Sequence, residues 1–99
     1  MLVQTRAIHF SADQKLVFLI QKKLQKLEQF FDRILGAEVV LKLENSGRIK
    51  DKILEVRVKV PGNTLITKAT HKTFEAAIDN VVSAMKKQLI KHKERIRRK

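Results

Sequence analysis

Ninety-nine residues suffice for one domain with a modest core and leave no room for a second. Twenty-two Lys and Arg against 10 Asp and Glu give a formal net charge of +12, which points to a polyanionic partner. Nucleic acid is favoured over a membrane surface, since no Trp or Tyr is present to anchor an interface, and the lack of Cys excludes disulfides, thiolate metal sites and thiol nucleophiles. The N-terminus carries no basic segment followed by an apolar run and a small-residue cleavage site, and no apolar stretch approaches a membrane span, so a cytoplasmic location is the expectation.

Leu2 to Ile8 alternates and is rich in β-formers, with Val3 and Thr5 on one side and Gln4 and Arg6 on the other, which predicts a first strand. Phe10 to Asp13 turns the chain into a helix whose cap is either Ser11, with Gln14 completing a capping box, or Asp13. That helix is predicted to run to about Phe31, burying Leu16, Leu19, Ile20, Leu24, Leu27 and Phe31 and showing Lys15, Lys22, Lys26 and Gln29 outward. Phe18 falls off the apolar stripe and reads as a partly covered rim residue rather than a partner contact. Gly36 closes the loop that follows the helix.

Glu38 to Glu44 alternates cleanly, placing Val39, Leu41 and Leu43 inward. Lys52 to Val60 repeats the pattern with Leu54, Val56, Val58 and Val60. Between them Asn45 to Asp51 (NSGRIKD) reads as a polar loop carrying Arg48 and Lys50. Pro61-Gly62-Asn63 signals a turn into a fourth strand, Thr64 to Thr70, and Thr73 offers the cap of a long final helix. On that helix Phe74, Ala77, Ile78, Val81, Val82, Met85, Leu89 and Ile96 recur at helical spacing. From Lys86 onward, Lys86, Lys87, Lys91, Lys93, Arg95, Arg97, Arg98 and Lys99 meet one acid, Glu94, so this basic end (86–99) is expected to project from the domain or lie along its edge. The order β-α-β-β-β-α with one dry sheet face implies an α+β two-layer sandwich, a four-stranded, mainly antiparallel sheet with both helices on one face.

No catalytic constellation can be assembled. His9, His71 and His92 have no ligand-like or nucleophile–base spacing, the three glycines form no phosphate loop, and Glu28 with Asp32 reads as surface ion pairing beside Lys26 and Arg33. Neither an enzyme nor a cofactor is expected. The charges on the outer sheet face alternate in sign and read as cross-strand pairs, whereas Lys22, Lys23 and Lys26 on one helix and Lys86, Lys87, Lys91 and Lys93 on the other are nearly free of acids. Such clusters suit phosphate contact, and the shortage of aromatics argues for recognition of structured RNA rather than base stacking.

Three segments, KLEQFFDRI (Lys26 to Ile34), FEAAID (Phe74 to Asp79) and QLIKHKERI (Gln88 to Ile96), resemble the bacterial ribosome hibernation promoting factors, also called ribosome-associated inhibitors. The resemblance extends over essentially the whole chain and implies a topology like that of double-stranded RNA-binding domains. It also implies binding to the small ribosomal subunit in the decoding region, which would block messenger and transfer RNA and idle ribosomes in starved or stationary cells. The family's basic positions fall on Lys23, Lys26, Lys87, Lys91, His92 and Lys93; Lys22, Lys86 and Arg95 join them from the charge pattern. The sequence departs from the family at Glu75, where Tyr is common, and at Thr70-His71, in place of a frequent Glu-Gly. It resembles a short form, which would need a separate factor to pair ribosomes into dimers. The rival readings are a general structured-RNA or DNA-binding module and a partner of the transcription machinery.

Overall fold

Period-two alternation obliges the strands to bury one face and wet the other. In the computed structural model, which describes residues 1–46 and 49–97, they do so in one four-stranded sheet. The elements are β1 (Val3–Ala7), α1 (Gln14–Gln25), a short 3-10 turn (Lys26–Gln29), β2 (Gly36–Ser46), β3 (Ile49–Val60), β4 (Asn63–His71) and α2 (Phe74–Arg97). The strands lie in sequence order. β1 runs parallel to β2 because α1 carries the chain back across the sheet, and the two hairpins make the remaining pairs antiparallel.

Register decides which side chains meet the helices. The pairs Val3 with Ala37, Val39 with Val56, Leu54 with Ala69 and Val58 with Leu65 stack apolar residues on one face. Ile20, Leu24 and Leu27 from the first helical segment and Phe74, Ile78, Val81, Met85 and Leu89 from α2 close over them as one core. Burial of this continuous apolar surface is what holds the two layers together. Phe10 stacks on Phe74 with ring centroids 5.8 Å apart, tying the β1–α1 connection to the start of α2.

Local chemistry sets the boundaries. Asp13, not Ser11, caps α1, its carboxylate accepting from the Lys15 N–H at 3.2 Å, and Thr73 Oγ1 accepts from the Ala76 N–H at 3.1 Å to cap α2. Pro61-Gly62 links the paired Val60 and Asn63, and Gly62 takes a φ of 79° that a side chain would resist.

Five expectations require correction. The first helix does not continue to Phe31: it ends at Gln25 and tightens, Phe30 and Phe31 N–H both reaching the Leu27 carbonyl at 3.0 and 3.3 Å, which turns Phe31 into the core. NSGRIKD is mostly strand rather than loop, pairing continuing through Glu44 with Asp51 to Ser46 with Ile49, while Arg48 lies outside the described residues. Leu43 is 47% exposed rather than inward, because its partner Lys52 already lies over Phe74, the first residue of α2, and the helical layer ends there. Ile96 is 41% exposed, since α2 has by then passed beyond Leu89, its last buried residue. Phe18 is not a partly covered rim residue but 67% exposed.

Candidate nucleic-acid interface

Because α1 and α2 spend their apolar stripes on the sheet, their polar sides form a continuous outer layer. Three contacts join them. Lys23 Nζ forms an ion pair with Asp79, Lys86 Nζ stands 4.5 Å from the centroid of the Phe30 ring, and the Phe31 and His92 rings meet edge to face at 5.4 Å. On the opposite flank of α2, Gln88 Nε2 donates to the Ile66 carbonyl at 3.1 Å and to Thr67 Oγ1 at 2.9 Å, and Asn80 bonds His71. These contacts fix the rotation of α2, and with it the direction in which its cations point.

The candidate cations then fall into two groups. Lys22 and Lys26 on the α1 side and Lys87, Lys91, Lys93 and Arg95 on α2 are exposed, and among the described residues none of them has an ion-pair partner. Lys87 and Lys91 stand one helical turn apart and so share a face. Lys23 and Lys86 are engaged within the protein, the first by Asp79 and the second by the Phe30 ring. His92 is half-buried against Phe31, its Nε2 enclosed without a hydrogen-bond partner, so the imidazole holds the end of the 3-10 segment against α2. Arg98 and Lys99 lie outside the described residues. Of the free cations, Lys22 and Arg95 stand in the last turns of α1 and α2, where the carbonyl end of the helix dipole favours positive charge.

The outer sheet face is different in kind. Glu38 accepts from Lys59 at 2.9 Å across the β2–β3 pair, and Glu55 accepts from Arg57 at 3.1 Å along β3. The hydrogen bond from Lys59, then the Lys59 charge itself, hold the Glu38 carboxyl below the usual carboxylate range; desolvation opposes them, and the Arg57 and Arg6 charges add smaller effects in the lowering direction. Acids and cations are interspersed on this face, and among the described residues Lys59 and Arg57 are paired while Arg6, Lys42 and Lys68 have no ion-pair partner. Glu28 is likewise taken, by the N-terminal amine at 2.8 Å rather than by Lys26 or Arg33. Among the described residues no group of three or more His, Asp or Glu could hold a metal ion, and no helix is long and apolar enough to cross a membrane.

Two residues that matter to the layer escaped the sequence pattern. Asp79 and Phe30 sit inside recognisable motifs, but their partners are remote in the chain, Lys23 lying 56 positions before Asp79. Only the packing of α1 on α2 brings them together.

Residues 3–97 match the family described as Sigma 54 modulation protein / S30EA ribosomal protein. A ribosome hibernation promoting factor from Pseudomonas putida is 32% identical over 87 residues, 88% of this chain and 81% of that protein. A ribosomal subunit interface protein from Coxiella burnetii superimposes with a TM-score of 0.85 at 23% identity, covering 95% of this chain and 99% of that one, a likeness of fold. The N-terminal domain of Thermus thermophilus Protein Y superimposes with a TM-score of 0.80 at 25% identity, covering 93% and 99%.

Proposed function

Since the chain belongs to the Sigma 54 modulation protein / S30EA ribosomal protein family, we propose that it is a ribosome hibernation factor, a binding protein without catalytic chemistry. It occupies the decoding channel of the small ribosomal subunit, keeps messenger and transfer RNA out, and holds ribosomes idle. The name carried by the Pseudomonas putida relative supports the role. The observation that carries the RNA contact is the set of exposed, unpaired cations on the helical layer: Lys22, Lys26, Lys87, Lys91, Lys93 and Arg95. Lysine and arginine placed without acid partners exchange condensed counterions for phosphates, and the gain is independent of base sequence. Lys23 and Lys86 join the set when phosphate competes with Asp79 and with the Phe30 ring.

His92 serves this surface by positioning, its ring fixing the 3-10 segment that carries Lys26 against the helix that carries Lys91 and Lys93. The sheet, 12 residues long in β3, acts as a stiff backing, so the domain enters as a wedge. Pairing of ribosomes into dimers would fall to a separate factor.

Replacing Lys87, Lys91 and Lys93 together by Glu should abolish binding to purified small subunits while leaving the thermal unfolding transition in place. Neutralising about six phosphates gives the wild type a slope of log affinity on log salt of roughly −4 to −5. Retained binding by the triple variant would refute the assignment. Equal binding to bulk RNA duplex and to small subunits at physiological salt would favour a general RNA-binding module instead.

A further inference from the structure

Phe18 is the most exposed aromatic side chain among the described residues, at 67%, and it stands on the helix that also carries Lys22 and Lys26. Lys15 precedes it by three positions and Lys22 follows by four, so all three share one helix face. Beside it, between α1 and the first turn of α2, lies a hollow of about 660 Å³ whose floor is Leu16, Leu19 and Phe74. That volume falls within the usual range for small-ligand sites, about 300–1,000 Å³. The ring's other side borders a second hollow of about 540 Å³, so it stands as a fin between two recesses.

The rim of the first hollow is charged. Lys15, Lys22 and Lys52 line it, with Asp13 and Glu75 as the acids. Asp13 spends one carboxylate oxygen on the Lys15 N–H as helix cap, whereas Glu75 has no ion-pair partner among the described residues and offers a ligand both of its oxygens. An aromatic fin, an apolar floor, cations at the mouth and an uncommitted carboxylate suit a planar ring with an exocyclic amino group and an attached phosphate. We infer that this hollow receives one unpaired nucleotide of the bound RNA, its base stacked on Phe18, its phosphate met by Lys15 and Lys22, and its amino edge facing Glu75. The inference rests on the RNA-binding reading above and extends its surface along α1, since Lys22 belongs to both. An apolar protein segment explains Phe18 but not the three lysines around the hollow beside it.

The test compares wild type with Phe18→Ala, Phe18→Leu and Phe18→Trp in titrations of purified small ribosomal subunits across a salt series. Phe18 is exposed, so each variant keeps the fold. Phe18→Ala and Phe18→Leu should weaken binding by about five- to thirtyfold, and Phe18→Trp should restore it, because stacking needs an aromatic face. The salt slope should be unchanged in all three, as no phosphate contact is lost, whereas Lys22→Ala should lower its magnitude by about one. Binding by Phe18→Ala within about twofold of wild type, the error expected of such titrations, overturns the inference. So does full restoration by Phe18→Leu, the mark of a greasy protein contact. If the triple Glu variant of α2 still loses binding in those cases, the RNA interface stands without this pocket; if it binds normally, the RNA interface itself has failed.

Discussion

Glu38 shows how a single half-buried residue can be read for both charge and stability. Its carboxylate takes a hydrogen bond from Lys59 Nζ at 2.9 Å, and that bond and charge depress its pKa in the folded state. A depressed carboxylate contributes stability above its unfolded pKa and loses it as pH falls through the folded value. Glu38→Gln should therefore lower the melting temperature slightly at neutral pH, and the difference from wild type should vanish once the wild-type carboxyl is protonated. Thermal melts followed across acid pH check this; a difference that persists unchanged into strong acid would mean that the substituted amide perturbs packing rather than charge. Phe18 and His92 make the complementary point about apolar and polar character. The aromatic residue lies exposed in solvent, and the polar one packs on Phe31, so residue type alone did not reveal which of them faces outward.

Among the elements, α2 carries most of the account, and its two halves do different work. From Phe74 to Leu89 its buried stripe anchors it, and Thr73 caps it with a 3.1 Å hydrogen bond. Thr73→Ala should cost about 0.5–2 kcal/mol in urea unfolding, while the salt slope of subunit binding under native conditions stays unchanged, because the cations of α2 lie beyond the cap. A slope reduced in parallel with stability would show that the anchored and projecting halves are coupled. This element also marks where periodicity stops being informative. Ile96 continues the apolar spacing and Leu43 continues the strand alternation, yet both are exposed, for spacing encodes a direction and not whether another element reaches that far. NSGRIKD failed for the converse reason. A hairpin that runs past the helical layer has no dry face to record in its sequence, so its polarity imitates a loop although the backbone of its described residues is paired. The order of elements, the Thr73 cap and the Pro-Gly turn were legible because each depends on local chemistry alone, whereas the first helix offered both Ser11 and Asp13 and only the structure chose Asp13.

At the scale of the whole molecule, a body of 50 × 24 × 19 Å segregates its charge. The outer sheet face intersperses acids with its cations, pairing Lys59 and Arg57 but not Arg6, Lys42 or Lys68, whereas the helical layer gathers Lys22, Lys26, Lys87, Lys91, Lys93 and Arg95 without ion-pair partners among the described residues, which gives a net charge of +12 a directed surface. The cation clusters of that surface were visible in the sequence. The internal engagement of Lys23 by Asp79 and of Lys86 by Phe30 was not, since both depend on how α1 crosses α2. The central claim is that this layer fills the decoding channel, and chemical probing of ribosomal RNA in purified small subunits, with and without the protein, tests it most directly. The account predicts protection along the path of messenger and the A- and P-site transfer RNAs, and its loss when messenger and initiator transfer RNA are loaded first. Protection confined to another surface of the subunit, or protection unaffected by prior loading, would contradict it.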